Sequence, residues 1–247
     1  MPLTPDFTDP DLRGRVGLIT GAGSGIGRAF ALALAQRGMT CWLVGRRQQA
    51  LEETAALLAT PGRVLVADVA SADDVAALAR TVRDASPALH LLINNAAILG
   101  PVATLDDYPA DAFAQVMDTN VNGVFRVTQA LLPLLRAGAP GSVIVNLSSG
   151  VGRQGRATWG AYAASKFAVE GLNQVWADEL RGSGVAVNAI NPGGTATSMR
   201  AAAKPDEDPS TLPTPDDVVP SLLWLLSPEA RAMGLSGVSI DARDWMA

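Results

Sequence analysis

The stretch Val16-Gly17-Leu18-Ile19-Thr20-Gly21-Ala22-Gly23-Ser24-Gly25-Ile26-Gly27-Arg28-Ala29-Phe30-Ala31-Leu32-Ala33 decides the fold. Its first five residues read as a strand and its Ala- and Leu-rich end as a helix. Between them Gly21, Gly23, Gly25 and Gly27 permit a tight turn and close approach of the backbone. The helix then opens with free N–H groups and the positive end of its dipole aimed at an anion, most naturally a pyrophosphate. Residues 20–27 fit the pattern T-G-x-x-x-G-x-G. They do not fit G-x-G-x-x-G, whose third glycine would fall on Ile26 or Arg28.

Outward from this turn the alternation continues. Strands are expected at 16–20, 41–44, 64–67, 89–94, 143–147, 185–190 and 238–240, and helices at 26–37, 48–59, 72–85, 110–136, 159–181 and 216–227. Strands apolar on both faces, with helices between them, require parallel neighbours joined by crossovers and covered on each side. The expected fold is a doubly wound (Rossmann) α/β sheet of about seven parallel strands, a single domain over residues 1–247. Ser71 with Asp74, and Thr214-Pro215-Asp216-Asp217, are helix-start signals. Two segments stand outside the pattern. Residues 1–14 are expected as a loose arm, and 198–214, with Pro205, Pro209 and Pro213 among Asp206, Glu207 and Asp208, as a mobile substrate lid.

Composition excludes several classes. A chain 48% apolar and 17% charged suits a large core rather than disorder. The net charge of −5 offers no field to attract nucleic acid or anionic lipid. No stretch reaches the roughly 18 apolar residues of a membrane span, and the first ten residues lack a signal peptide's regions, so a cytoplasmic protein is expected. Cys41, the sole cysteine, sits in the apolar run Cys41-Trp42-Leu43-Val44 and reads as a buried thiol. His90 is the sole histidine, which removes Ser-His triads and nearly all zinc chemistry, and no metal is expected. A general base must be sought elsewhere.

Two constellations carry chemistry. After the second strand comes Val44-Gly45-Arg46-Arg47, where a dinucleotide site often places an acid for the ribose diol. Two arginines at a helix start oppose the macrodipole unless a phosphate is bound there, which favours NADP(H) over NAD(H). Thirteen residues past Ser149, the helix after the fifth strand carries Tyr162-Ala163-Ala164-Ser165-Lys166. Tyr162 and Lys166 share one helix face, where an ammonium is expected to lower a phenol pKa that starts near ~10. An ordinary packing pair is the alternative, but the chain holds only two tyrosines and two lysines against 17 arginines.

These residues, in this order and spacing, resemble the short-chain dehydrogenase/reductase family over about residues 14–241. Asp68-Val69, Asn94-Asn95-Ala96-Ala97, Asn120-Val121-Asn122-Gly123 and Pro192-Gly193-Gly194-Thr195-Ala196-Thr197 extend the resemblance. It implies an oxidoreductase that moves a hydride between a nicotinamide and a secondary alcohol or ketone. Ser149 would hold the substrate oxygen, Tyr162 pass the proton, Lys166 bind the nicotinamide ribose and tune Tyr162, and Asn120 anchor a water in the relay. The spacing to Tyr162 selects Ser149 over Ser148, read as a buried strand-end hydroxyl. Gly21, Gly23, Ser24, Gly25, Ile26, Gly27, Arg46 and Arg47 would hold the phosphates. Asp68 and Val69 would meet the adenine, with Asn95, Ala96 and Ala97 alongside. Pro192, Gly193, Thr195 and Thr197 would fix the carboxamide end.

Ala97 stands where the family usually has glycine. The tail Ser239-Ile240-Asp241-Ala242-Arg243 replaces a more usual valine-aspartate-glycine-glycine ending. The resemblance implies a homotetramer or homodimer paired through 110–136 and 159–181, and a small-molecule substrate. The stretch 98–105, Trp159 and the lid from Met199 make apolar ketones the best fit. Arg153, Arg156 and Arg200 keep 3-oxoacyl thioester reduction with an acidic carrier open. A cofactor-sensing protein that has lost its chemistry, or a scaffold, are the remaining readings, and the intact Asn120, Ser149, Tyr162 and Lys166 speak against both.

Overall fold

The computed structural model describes residues 7–246; residues 1–6 of the expected arm lie outside the described residues. Strands β1 (Val16–Thr20), β2 (Thr40–Gly45), β3 (Arg63–Val66), β4 (Leu91–Asn94), β5 (Ser142–Leu147), β6 (Val185–Asn191) and β7 (Ser239–Asp241) form one sheet. Helices α1 (Gly25–Gln36), α2 (Gln48–Ala56), α3 (Ala72–Ala85), α4 (Ala110–Met117), α5 (Gly123–Ala137), α6 (Gly160–Glu179), α7 (Ser198–Ala203), α8 (Val219–Leu226) and α9 (Pro228–Ala232) connect them. The order is β3-β2-β1-β4-β5-β6-β7, and every pairing is parallel. Chain direction across the sheet reverses between β1 and β4, the point at which such sheets open a crevice beyond their strand ends.

Successive strand residues face opposite sides. Ile19, Leu43, Ile93 and Val145 pack with Phe30 and Leu34 of α1 and Leu222 and Leu225 of α8. Leu18, Val44, Leu92 and Ile144 pack with Leu78 and Val82 of α3, Leu131 and Leu135 of α5, and Val169 and Trp176 of α6. Each such side chain contributes about 1.5–3 kcal/mol by leaving water. This double burial is why the strands read as unbroken apolar runs.

Four expectations need correction. The helix expected over 110–136 is broken by a π-helical turn, Asp118–Asn122, between α4 and α5; periodicity cannot register one inserted residue, and such turns mark functional sites. The helix expected over 216–227 begins as a 3₁₀ turn, Asp216–Val218, where the Asp217 carboxylate accepts from both the N–H (2.7 Å) and the hydroxyl (2.8 Å) of Thr214. Residues 7–14 are packed rather than loose: Leu12 is buried, Phe7 meets Trp245 edge-on, and Asp9 pairs with Arg37 at 2.5 Å. The segment 198–214 holds α7 and a 3₁₀ turn, Pro209–Thr211, both too short for periodicity to find. Ser71 does cap α3, accepting from the Asp74 N–H at 3.2 Å. Among the described residues no helix is long and apolar enough to cross a membrane.

Candidate active site

A cleft of about 760 Å³ runs along the carboxyl ends of the strands, from the glycine loop to the C-terminal tail. At one end β1 turns into α1. Gly21 (φ +68°) and Gly25 (φ +53°) take left-handed conformations. A Cβ on Gly27 would stand 2.4 Å from the Gly21 carbonyl oxygen and 2.6 Å from the Asn95 amide, so only hydrogen fits. Asn95 donates from Nδ2 to the carbonyls of Thr20 (2.9 Å) and Gly21 (3.1 Å), while the Thr20 hydroxyl accepts from the N–H groups of Asn95 and Ala96. Asn95 therefore fastens the end of β4 to the loop. Ser24 gives α1 no side-chain cap, and its first turn carries no acid. Its N–H groups are left for an anion.

Arg28, whose presence spoils G-x-G-x-x-G, has a role that sequence reading missed. Its guanidinium donates to the Gly23 carbonyl (2.7 Å) and the Thr54 hydroxyl (2.9 Å), bracing the loop against α2. Arg46 and Arg47 follow β2, both exposed and lining the cleft. Arg46 lies 3.8 Å from Asp68, whose other oxygen accepts from the Ala70 N–H at 3.0 Å. Val69, Ala96 and Ala97 line the same stretch of cleft.

At the other end β5 delivers Ser148 and Ser149. Ser149 caps the following 3₁₀ turn, its hydroxyl accepting from the Val151 N–H at 3.4 Å. Tyr162 and Lys166 project from α6 and are buried. Val151, Ala163, Leu99, Trp159 and Met199 enclose Tyr162 in an apolar wall, Trp159 edge-on at 5.9 Å. Lys166 Nζ donates to the Leu147 carbonyl (2.7 Å) and stands 5.5 Å over the Tyr162 ring centroid.

The expected depression of the phenol pKa is not what this geometry gives. Burial pushes Tyr162 up to about 12, and the Ser149 hydroxyl acts against that rise. Burial likewise pulls Lys166 down to about 8, opposed by the charge of Glu170. Desolvation wins because the ammonium is spent on a carbonyl and the ring face rather than on the phenol oxygen.

Asn120 occupies the π turn. Its Nδ2 donates to the Ile98 carbonyl (2.9 Å) and Ser165 hydroxyl (3.0 Å), and its Oδ1 accepts from the Ile98 N–H (2.8 Å). Both amide donors are engaged, which leaves the second Oδ1 lone pair as the remaining acceptor of the side chain. After β6, Gly193 has φ +70°, Thr195 donates to the Pro192 carbonyl (3.1 Å), and Thr197 caps α7 by accepting from the Arg200 N–H (3.2 Å). Of the residues expected at the site, all but Asn120 and Gly27 line the one cleft.

Two of the three arginines weighed for an acidic carrier are already paired. Arg153 donates to Asp241 and Ser239, and Arg200 forms a bidentate pair with Glu207 at 2.5 and 2.6 Å. Arg156 lines the cleft and has no ion pair among the described residues. Sequence reading also missed Glu170. It is buried on the face of Tyr162 and Lys166 and accepts from Ser148 (2.5 Å) and Ser239 (2.8 Å). The signal was present: Glu170 continues the spacing 162, 166, 170.

A family model described as short chain dehydrogenase matches residues 15–208. The chain is 43% identical to the "Uncharacterized oxidoreductase YciK" of Escherichia coli K12, covering 94% of this chain and 93% of that one. It is 40% identical to an NADPH-dependent pterin aldehyde reductase of Arabidopsis thaliana, over 75% of this chain and 76% of the relative. A crystal structure of a short chain dehydrogenase from Shigella flexneri 2a, complexed with NADP, superposes with a TM-score of 0.90 at 41% identity, covering 96% of this chain and all of that one.

Proposed function

The chain belongs to the short-chain dehydrogenase family and is an NAD(P)-dependent oxidoreductase acting on a small molecule; we propose that it interconverts an apolar ketone and a secondary alcohol, with NADP(H) preferred and Tyr162 as general acid and base. The observation that carries this is Tyr162 set in an apolar wall beside Ser149 and Lys166, in the cleft that also holds the glycine loop.

The residues present fit a dinucleotide. The left-handed turns at Gly21 and Gly25 and the uncapped start of α1 suit a pyrophosphate, and Arg46 and Arg47 suit a 2′-phosphate. Asp68 and Val69 would receive the adenine, with Asn95, Ala96 and Ala97 beside the adenosine. Pro192, Gly193, Thr195 and Thr197 would fix the carboxamide. One of the relatives named above is an NADPH-dependent reductase and another is complexed with NADP, which supports the preference. When bound, the nicotinamide supplies the hydride.

In reduction, the hydroxyls of Ser149 and Tyr162 donate to the substrate oxygen, and Tyr162 gives up its proton as the carbonyl becomes an alcohol. The phenolate left behind is stabilised by the Lys166 ammonium, which is held in place by the Leu147 carbonyl. Tyr162 regains a proton through Lys166 and a water held at Asn120. With its pKa raised by burial the phenol stays protonated at neutral pH, the form that reduction requires.

The segment 198–214 serves as the substrate lid, with Met199 on its inner side. Residues 1–247 act as one oxidoreductase domain. Phe125 (42% exposed) on α5 and Phe167 (47%) and Val175 (54%) on α6 give those helices an apolar outer surface suited to pairing as a homodimer or homotetramer.

The test follows nicotinamide absorbance with NADPH and with NADH against a panel of apolar ketones, wild type beside Tyr162→Phe. Turnover should prefer NADPH and fall at least about a thousandfold in the variant, while NADPH binding persists. Comparable turnover by the variant would remove Tyr162 from the chemistry.

A further inference from the structure

Glu170 has no part in the chemistry described above, yet it is a buried carboxylate one turn from Lys166 on the same helix face. The two residues are tied to consecutive positions of one strand end: Lys166 Nζ to the Leu147 carbonyl (2.7 Å), and Glu170 Oε1 to the Ser148 hydroxyl (2.5 Å). From the other side Ser239, on β7, donates to the same Oε1 at 2.8 Å, and Arg153 Nε stands 3.7 Å away. Arg153 is itself held by Asp241, which also accepts from Asn191 Nδ2 at 2.5 Å. A buried carboxylate is stable only where it is paired or hydrogen-bonded, and this one is fixed by Ser148, Ser239 and Arg153 one helical turn beyond Lys166.

We propose that Glu170 is a positioning residue that serves as the counter-charge of Lys166, and that Arg153, braced by Asp241 and Ser239, sets how much of that charge Lys166 feels. The catalytic consequence rests on the function proposed above; the electrostatic assignment does not. The Tyr162 ring lies against Lys166 and Glu170 follows one turn on along α6; Arg153, on the loop after β5, stands against Glu170, and Asp241, on β7, against Arg153. The attraction of Glu170 opposes the burial that holds Lys166 near 8. Without it a smaller fraction of the amine would carry charge at neutral pH, making it a poorer partner for a phenolate. The unusual tail thereby acquires a purpose: Ser239 and Asp241 connect the C-terminal strand to the charge state of the catalytic helix.

The chain's two lysines, Lys166 and Lys204, make the test direct. In full-length protein labelled with ¹³Cε-lysine, two resonances are expected, assigned by Lys204→Arg, and the Lys166 midpoint is read by titration. Glu170→Gln should lower that midpoint by about one unit or more, the scale of a close opposite charge. Arg153→Met should raise it, because an opposing cation is removed and Glu170 is left less neutralised. The alkaline limb of the pH profile of kcat/KM should move in the same two directions. A side chain that merely packs would shift both variants alike or not at all, so an unmoved midpoint in Glu170→Gln, or shifts of the same sign, overturns the proposal. If Glu170→Gln does not fold, Arg153→Met, at a partly exposed guanidinium, decides alone. Opposite titration shifts in a protein that reduces no ketone would sustain the counter-charge while removing the proposed reaction.

Discussion

From β1 to β3 the cleft is built from what the chain leaves out; from β4 to β7 it is built from side chains that satisfy one another. Among the described residues, Thr20, Thr54 and Ser86 are the buried polar side chains that precede Asn94, whereas fifteen occur from Asn94 onward. The first region offers glycines that let the loop turn tightly and the free N–H groups of α1. The second contains a ladder of buried amides. Asn94 donates to Asn146 (2.9 Å) and Thr128 (2.9 Å), Asn146 to Asn173 (3.2 Å), and Asn173 to the Val238 carbonyl (3.3 Å). The difference is functional. A ligand's phosphates can complete an unsatisfied backbone, but a proton-transfer site needs groups whose positions are fixed before the ligand arrives.

The comparison is most easily broken in the ladder. Asn146→Ala strands the Asn94 donor and the Asn173 acceptor in the core, at about 1–3 kcal/mol for each unsatisfied group. It should cost about 3 kcal/mol by urea unfolding, with turnover lost in step with folded protein. Retention of wild-type stability would show that the ladder is not what holds the catalytic half together. Gly27→Ala probes the other half. Its methyl would meet the backbone oxygen of Gly21 at 2.4 Å, which cannot rotate away. About 2 kcal/mol of stability should be lost to overpacking, together with at least a tenfold loss of NADPH affinity by fluorescence titration as the loop shifts. Affinity unchanged in a destabilised protein would mean that loop geometry is not limiting.

The same contrast explains what the sequence disclosed. The loop at 20–27, the seven strands and the Tyr162-Lys166 pair were legible because each is local: a cluster of glycines, short unbroken apolar runs, a spacing of four. Parallel strands buried on both faces are continuous apolar runs, so the doubly wound parallel class followed, although not the strand order. What stayed hidden depends on distant partners. Asn94, Asn146 and Asn188 interrupt apolar strands, a sign that each must find a hydrogen bond inside, but no pattern names the partner. The π turn at 118–122 adds one residue to a helix without changing its composition. The rise of Tyr162 to about 12, against an expected fall, reflects burial, which an i,i+4 spacing does not report. Arg28 breaks G-x-G-x-x-G, and no local pattern names its partners, the Gly23 carbonyl and the Thr54 hydroxyl.

The smallest effects belong to Arg46 and Arg47, and they sharpen the comparison most. Neither supports the fold: Arg47 begins α2 without a side-chain cap, and Arg46 has only Asp68, at 3.8 Å in solvent. An exposed pair of that kind is worth about 0–1 kcal/mol. Arg46→Ala and Arg47→Ala should therefore leave the unfolding midpoint within about 0.5 kcal/mol of wild type. A charge-assisted bond to a 2′-phosphate is worth about 1.5–3 kcal/mol, so each variant should weaken NADPH binding about tenfold while leaving NADH unaffected. The gap between the two cofactors should also narrow as ionic strength rises from about 0.05 to 0.5 M, because these guanidinium groups are exposed and the screening length shrinks. Equal losses for NADPH and NADH would place the arginines on the shared diphosphate instead, and the preference for NADP(H) would then need another source in the loop after β2.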